Sequence, residues 1–227
     1  WGTIGGLADN TEAAERALAI GVRYARDPQQ LARSVSGNTV LTQVDPTIGA
    51  MTTAYCAALG LVVAGTPFDA NISTRLMALV RSGQLPFHTV TTPGENAVPK
   101  GPEAPYTAGH YASPDALIGM GYIARAAADP GVKIEPAWKV SLVYGMPCAV
   151  YHQFPAVYYL AARFANDFEA AVLNAINGGG QNQARAMLTG ALVGAQVGID
   201  GIPKRFLDGL DRASERMELA RAIAAEV

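Results

Sequence analysis

The sequence predicts an all-α fold, and three observations indicate it. Apolar residues recur at the period of a helix along most of the chain. Proline and helix-capping residues mark frequent helix starts and stops. Hydrophobic residues make up 50% of the 227 residues and aromatic residues only 7%, a composition that suits closely packed helices. We therefore expect residues 1–227 to form one compact, multi-helix domain.

The N-terminal part of the chain predicts two helices. Asp9 with Glu12 forms a capping-box pattern at the start of the first. The pair Asp27-Pro28 starts the second, because aspartate is a good N-cap and proline a good first helical residue, and Gly37 can end it.

A long apolar helix follows. Asp45 and Pro46 form a second N-cap and first-residue pair, and residues 47–68 contain no charged side chain. This segment is long enough to cross a bilayer, but its interspersed threonines and glycines favour a central buried helix. We therefore expect no membrane partner. Thr66-Pro67 starts the next helix, which runs to about Arg81.

The stretch from Gly83 to Ala112 is rich in proline and glycine and shows no convincing period. So long an irregular segment in a compact domain is often functional. A lid over a cleft and a plain surface loop are both open interpretations. Its polar candidates are Glu95, Lys100, Glu103, Tyr106 and His110.

Turn residues divide the next helices. Pro114-Asp115 starts one that Asp129-Pro130 ends, and Glu135-Pro136 opens another that residues 145–147 interrupt. Residues 150–164 predict a further helix, in which Pro155 should cause a kink or a restart.

Aromatic residues concentrate in that last helix. At helical spacing they are typical of a core, and stacking on an adenine base is the alternative. His152 fits a hydrogen-bonded packing residue better than a catalyst. The aromatic set is Tyr151, Phe154, Tyr158 and Tyr159.

Charge and cysteine content limit the partners and the compartment. With 17 basic and 19 acidic residues the net charge is −2, so we expect no nucleic-acid partner. Cys56 and Cys148 are the only cysteines, and we expect both to be small core residues. A reducing compartment follows, and we expect the protein to be cytoplasmic.

Asn166 is expected to cap a helix that leads into the turn Asn177-Gly178-Gly179-Gly180. The helix after this turn leaves its first amides free and carries partial positive charge at that end, which suits a phosphate group. Gly190, Gly194 and Gly198 lie four residues apart on it and allow a neighbouring helix to approach closely.

These residues resemble the signature of the ADP-ribosylglycohydrolase family, which includes the dinitrogenase-reductase-activating glycohydrolases and the J1 crystallins. The family pattern runs Asn-x-Gly-Gly-Asp-Thr-Asp-Thr, then Gly-Ala-Leu-x-Gly-Ala, then Ile-Pro. The positions that match are Asn177, Gly179, Gly180, Gly190-Ala191-Leu192, Gly194-Ala195 and Ile202-Pro203.

The sequence departs from that pattern where the family binds metal. Gln181 and Gln183 stand where the resemblance places aspartates, and an amide offers Mg²⁺ one neutral oxygen instead of a charged carboxylate. Magnesium is therefore possible as a cofactor but doubtful. With Arg185 nearby, we expect Asn177, Gly179, Gly180, Gln181, Asn182, Gln183 and Arg185 to bind an anion such as pyrophosphate directly. The alternative is that Arg185 pairs with a carboxylate while the amides cap the helix.

A second segment agrees with the resemblance. Residues 42–46 are similar to a family segment Thr-His-x-Asp-Pro, with Gln43 in place of the histidine. The resemblance places Thr42 and Gln43 beside the ligand cleft, whereas capping alone explains Asp45.

The resemblance extends from about Leu7 to Leu210. It implies a protein that hydrolyses or binds ADP-ribosyl groups, with an ADP-ribose-like small molecule or an ADP-ribosylated protein as partner. The family layout further implies that an N-terminal part with the catalytic acid and other metal ligands precedes this chain. A non-catalytic ADP-ribose-binding or crystallin-like structural protein is the alternative.

Overall fold

The computed structural model describes residues 5–88, 111 and 114–227, and in this part of the chain the all-α prediction is confirmed. Extended residues there pair only in isolated bridges. The α-helices are α1 (Glu12–Arg23), α2 (Pro28–Thr39), α3 (Pro46–Val63), α4 (Ile72–Arg81), α5 (Asp115–Ala128), α6 (Val140–Tyr144), α7 (Val150–Arg163), α8 (Phe168–Asn177), α9 (Asn182–Val197), α10 (Lys204–Asp208) and α11 (Ala213–Ala224).

Helix α3 lies at the centre of the core and packs against α1, α2, α7 and α9. Its Tyr55 ring stacks on Phe154 with ring centroids 5.4 Å apart, and the Tyr55 hydroxyl donates to the backbone oxygen of Leu188 at 2.8 Å. In length and composition α3 could cross a membrane, but 67% of it is buried inside the fold. This burial agrees with the expected central core helix.

Three helices begin at aspartate N-caps. Asp27 accepts from the Gln30 amide at 2.9 Å, and Asp45 accepts from the Thr47 amide at 2.7 Å, as the sequence predicts. At α8 the prediction is wrong by one residue, because Asp167 rather than Asn166 accepts from a first-turn amide.

Two other helix starts differ from the prediction. Helix α1 begins after Thr11, not Asp9, because the carboxylate of Asp9 instead accepts a hydrogen bond from the Tyr151 hydroxyl. Helix α4 begins at Ile72, several residues after Thr66-Pro67. Helix α7 runs without a break through Pro155, where a kink or restart was expected.

The two cysteines lie in different environments. Cys56 on α3 is fully buried, as expected, whereas Cys148 is exposed in the segment before α7 and does not belong to the core. Burial raises the pKa of the Cys56 thiol to about 12, so the folded protein keeps this thiol protonated well above its usual range.

Raising the pH from 8 to 10 should destabilise the protein through Cys56. The unfolded thiol ionises near pH 9 while the folded thiol does not, so the stability present at low pH falls as the pH rises towards 12. Compared with Cys56→Ala, the wild type should lose about 1.4 kcal/mol more of its free energy of unfolding over this interval. Urea unfolding of both proteins at pH 8 and pH 10 measures the difference, and equal losses would contradict the prediction.

Candidate ligand-binding site

Four chain segments meet at one end of the bundle, and each of them leads into a helix. They are residues 5–11 before α1, 42–45 before α3, 145–149 before α7 and 178–181 before α9. Backbone hydrogen bonds connect these segments. The amide of Gly6 donates to the oxygen of Thr42 at 2.9 Å, and the amide of Val150 donates to the oxygen of Asp9 at 2.8 Å. The backbone amide of Gln181 donates to the oxygen of Met146 at 3.0 Å. The N-termini of α1, α3, α7 and α9 therefore lie at this end, and so do the C-termini of α2, α6 and α8, which the same segments follow.

The glycine turn requires its glycines. Gly179 and Gly180 have φ angles of 68° and 60°, in the left-handed region that glycine adopts without strain. A Cβ atom on Gly180 would lie 2.4 Å from the backbone oxygen of Met146, so the turn packs directly on the segment before α7. The Ser141 hydroxyl also donates to the oxygen of Gly178 at 2.6 Å.

The first turn of α9 lacks a side-chain cap. The backbone amides of Gln183 and Ala184 have no acceptor among the residues that the structure describes, but Ala184 is fully buried, so only the amide of Gln183 belongs to an exposed residue. Asn177, Asn182 and Gln183 are exposed around this terminus, and Gln181 is partly buried. The structure thus brings the predicted polar residues together at one helix end, beside the unused backbone amide of Gln183.

Arg185 does not point towards solvent, in contrast to the expectation that it binds an anion. It is fully buried, and its Nε donates to the oxygen of Ala175 at 3.0 Å. Its other nitrogens donate to the oxygen of Gly179 and, at 3.3 Å, to Oε1 of Gln153. Because these acceptors are backbone and amide oxygens, the expected carboxylate pair is also absent from the described part of the chain.

The location of Arg185 has an electrostatic explanation. Ala175 is in the last turn of α8, and Gly179 lies just beyond it, where the partial charge of the helix is negative. The guanidinium therefore neutralises the end of α8 rather than opposing the start of α9. Burial lowers the pKa of Arg185 from its ordinary value, but a guanidinium remains protonated at neutral pH.

Thr42 and Gln43 also lie at this end, but only Thr42 is exposed. Gln43 is 2% exposed, and its Oε1 accepts from the Ala13 amide at 3.0 Å, so it caps α1 from another segment. Its Nε2 donates to the oxygens of Ala8 and Asn10. Gln43 thus holds the segment before α1 in place and does not line the surface.

Most of the aromatic set belongs to the core, as expected. Phe154, Tyr158 and Tyr159 are buried, which leaves Tyr151 as the exposed member beside Asp9. The hydrogen bond to Asp9 raises the pKa of Tyr151. Nδ1 of His152 lies 2.5 Å from the backbone oxygen of Tyr144, an arrangement that fits a packing residue.

Two residues at this end, Ser141 and Gln153, did not stand out in the sequence. A Cβ on Gly178 would lie 2.7 Å from the Ser141 hydroxyl and 3.0 Å from Nη2 of Arg185, so glycine is needed there for space. Gln153 is fully buried on α7, where Phe154 follows it in sequence. A lone glutamine in an apolar, aromatic helix was the signal that could have indicated it.

Two surface cavities are lined by described residues away from the glycine turn. The larger, about 400 Å³, lies among the C-terminal ends of α3, α5, α7 and α9, and the other, about 250 Å³, lies between α4 and α5. The proposed lid residues, from Glu95 to His110, lie outside the described residues.

The fold and this end of the bundle define an all-α protein whose candidate site is an uncapped helix N-terminus behind a glycine turn. The family model for ADP-ribosylglycohydrolase matches residues 2–227, so the chain belongs to the ADP-ribosylglycohydrolase family. This match confirms the resemblance to that family. A search of curated proteins found no match.

Proposed function

We propose that this protein binds an ADP-ribosyl group through its pyrophosphate at the N-terminus of α9, without tight magnesium binding. The observation that carries the proposal is the backbone amide of the exposed residue Gln183, which lacks an acceptor within the described residues beside the glycine turn. Membership of the ADP-ribosylglycohydrolase family supports the ligand class.

The donor chemistry of the turn suits a phosphate. Amides at a helix N-terminus donate to anions and add the favourable end of the helix dipole. Each hydrogen bond to a charged group contributes about 1.5–3 kcal/mol. The exposed side-chain amides of Asn182 and Gln183 can add donors around the same oxygens.

The residues present do not fit a magnesium site of the family type. Gln181 and Gln183 offer neutral amide oxygens where the family pattern has carboxylates, whereas Mg²⁺ is usually bound through carboxylates and water. Among the residues that the structure describes, no group of three or more His, Cys, Asp or Glu side chains could hold a metal ion. We therefore propose no metal-dependent step for this chain.

Gln181 and Gln183 favour a protein that binds an ADP-ribosyl group without hydrolysing it. The family's glycosidic hydrolysis depends on carboxylates that hold magnesium, as the resemblance implies, and these two positions lack them. A hydrolase with altered metal use is the alternative. Release of ADP-ribose from an ADP-ribosylated protein by the unmodified chain would support that alternative.

Calorimetric titration with ADP-ribose tests the proposal. Wild-type affinity should be the same, within twofold, in magnesium and in EDTA. In the double variant Gln181→Asp with Gln183→Asp, two carboxylates face the phosphates, so affinity in EDTA should fall at least tenfold and magnesium should restore it.

The control variant is Gln29→Asp with Gln84→Asp, which adds the same charge beside the end of α4, where the Gln29 side chain bonds to the oxygen of Gly83. It should bind ADP-ribose as the wild type does. A wild type that binds magnesium tightly but not ADP-ribose would contradict the proposal.

A further inference from the structure

Two fully buried polar side chains connect the glycine turn to the segment before α7. Gln153 donates from Nε2 to the backbone oxygen of Pro147 at 2.5 Å and, more weakly, to that of Met146 at 3.4 Å. Its Oε1 accepts from Nη1 of Arg185, whose Nη2 donates to the oxygen of Gly179. One continuous chain of hydrogen bonds therefore runs from residues 145–148 to the turn.

The buried groups in this chain of hydrogen bonds depend on one another, because a group that loses its partner there has no water to replace it. Arg185 is 0% exposed, and no carboxylate pairs with it in the described ranges, so backbone and amide oxygens alone compensate for its lost hydration. If either segment moved, a buried donor or acceptor would lose its partner, which costs more than an ordinary hydrogen bond gains.

Direct contacts join the same two segments. The backbone amide of Gln181 donates to the backbone oxygen of Met146 at 3.0 Å, and Gly180 packs on that same carbonyl group. Gln153 and Gln181 thus share Met146 as an acceptor from two sides. A substitution of Gln153 should therefore alter the geometry of the glycine turn.

We propose that Arg185 and Gln153 are positioning residues that couple residues 145–148 to the glycine turn and hold the amides of α9 ready for an anion. Neither side chain contacts the ligand. The part of this inference that concerns ligand affinity rests on the proposed function, whereas the coupling of the two segments is a property of the ligand-free protein.

The decisive variant is Gln153→Glu. It keeps an acceptor for Arg185 but replaces the donor that holds Met146 and Pro147. In the ligand-free protein, amide hydrogen exchange at Gln181 should become at least tenfold faster, while exchange in the core of α3 stays within twofold. Affinity for ADP-ribose should fall at least tenfold.

The matched control is Gln196→Glu. The Gln196 side chain also bridges backbone groups, accepting from the Phe68 amide at 3.2 Å and donating to the oxygen of Ala161 at 3.3 Å, but it lies in the last turn of α9. This variant makes the same chemical change far from the turn. Exchange at Gln181 and affinity for ADP-ribose should both stay within twofold of the wild type.

Arg185→Lys provides a second measurement if Gln153→Glu does not fold. It keeps the charge but lacks the planar, multi-donor geometry, so exchange at Gln181 should again rise at least tenfold. Equal exchange at Gln181 in the wild type and the folded variant, or a uniform rise through α3 as well, would overturn the coupling. Absence of ADP-ribose binding by the wild type would refute the proposed function, while the exchange data still decide the coupling.

Discussion

Replacing Phe154 by alanine is expected to lower the free energy of unfolding by about 3–5 kcal/mol. Phe154 is fully buried on α7 and stacks on both Tyr55 and Tyr158, with ring centroids 5.4 and 5.9 Å away. Its removal takes a large apolar surface and two aromatic contacts from the junction of α3 and α7. Urea unfolding followed by circular dichroism measures the loss.

Tyr122→Ala is the control for this substitution. Tyr122 lies on α5 and is 68% exposed, so its truncation should change the free energy of unfolding by no more than about 0.5 kcal/mol. A loss below 1 kcal/mol for Phe154→Ala would show that this aromatic cluster is not the centre of the core.

Gly180→Ala is expected to cost about 2–5 kcal/mol of stability and to abolish ADP-ribose binding. The left-handed backbone conformation destabilises alanine by roughly 1–2 kcal/mol relative to glycine. Its Cβ would also meet the backbone oxygen of Met146 at 2.4 Å, and such overpacking typically costs about 1–3 kcal/mol. Because the neighbour is backbone, the turn must move, and the amides of α9 move with it.

Gly83→Ala separates these two contributions. Gly83 also has a positive φ angle, 71°, but beyond its chain neighbours no atom of the described residues lies within 4 Å of the position of its Cβ. This substitution should therefore cost only the conformational part, about 1–2 kcal/mol, and leave ADP-ribose affinity unchanged. Equal costs for Gly83→Ala and Gly180→Ala would mean that the contact with Met146 is unimportant.

Local signals predicted much of the fold. Asp27 and Asp45 are caps because an aspartate followed by proline satisfies the first amides of a helix from within its own segment. Asp9 failed as a cap because its carboxylate bonds to Tyr151 from α7, while Gln43 supplies the acceptor for α1. Partners that are distant in sequence therefore decided this exception.

In the candidate site, too, features set by local sequence were predictable, whereas those set by distant residues were not. The glycines of the turn were predictable, since few residues other than glycine adopt their conformations. The direction of the Arg185 side chain was not, because it depends on the end of α8 and on Gln153 from α7. From the sequence, Arg185 is a cation in the first turn of α9, and nothing in the sequence shows that its side chain contacts the C-terminal end of another helix.

Helix ends of both signs lie at this end of the bundle, because α2, α6 and α8 end in the segments from which α3, α7 and α9 start. Their partial charges largely offset one another at a distance, and only a group close to the first turn of α9 meets the field of its amides. Long-range steering of a nucleotide therefore contributes little, so its association rate should depend only weakly on added salt.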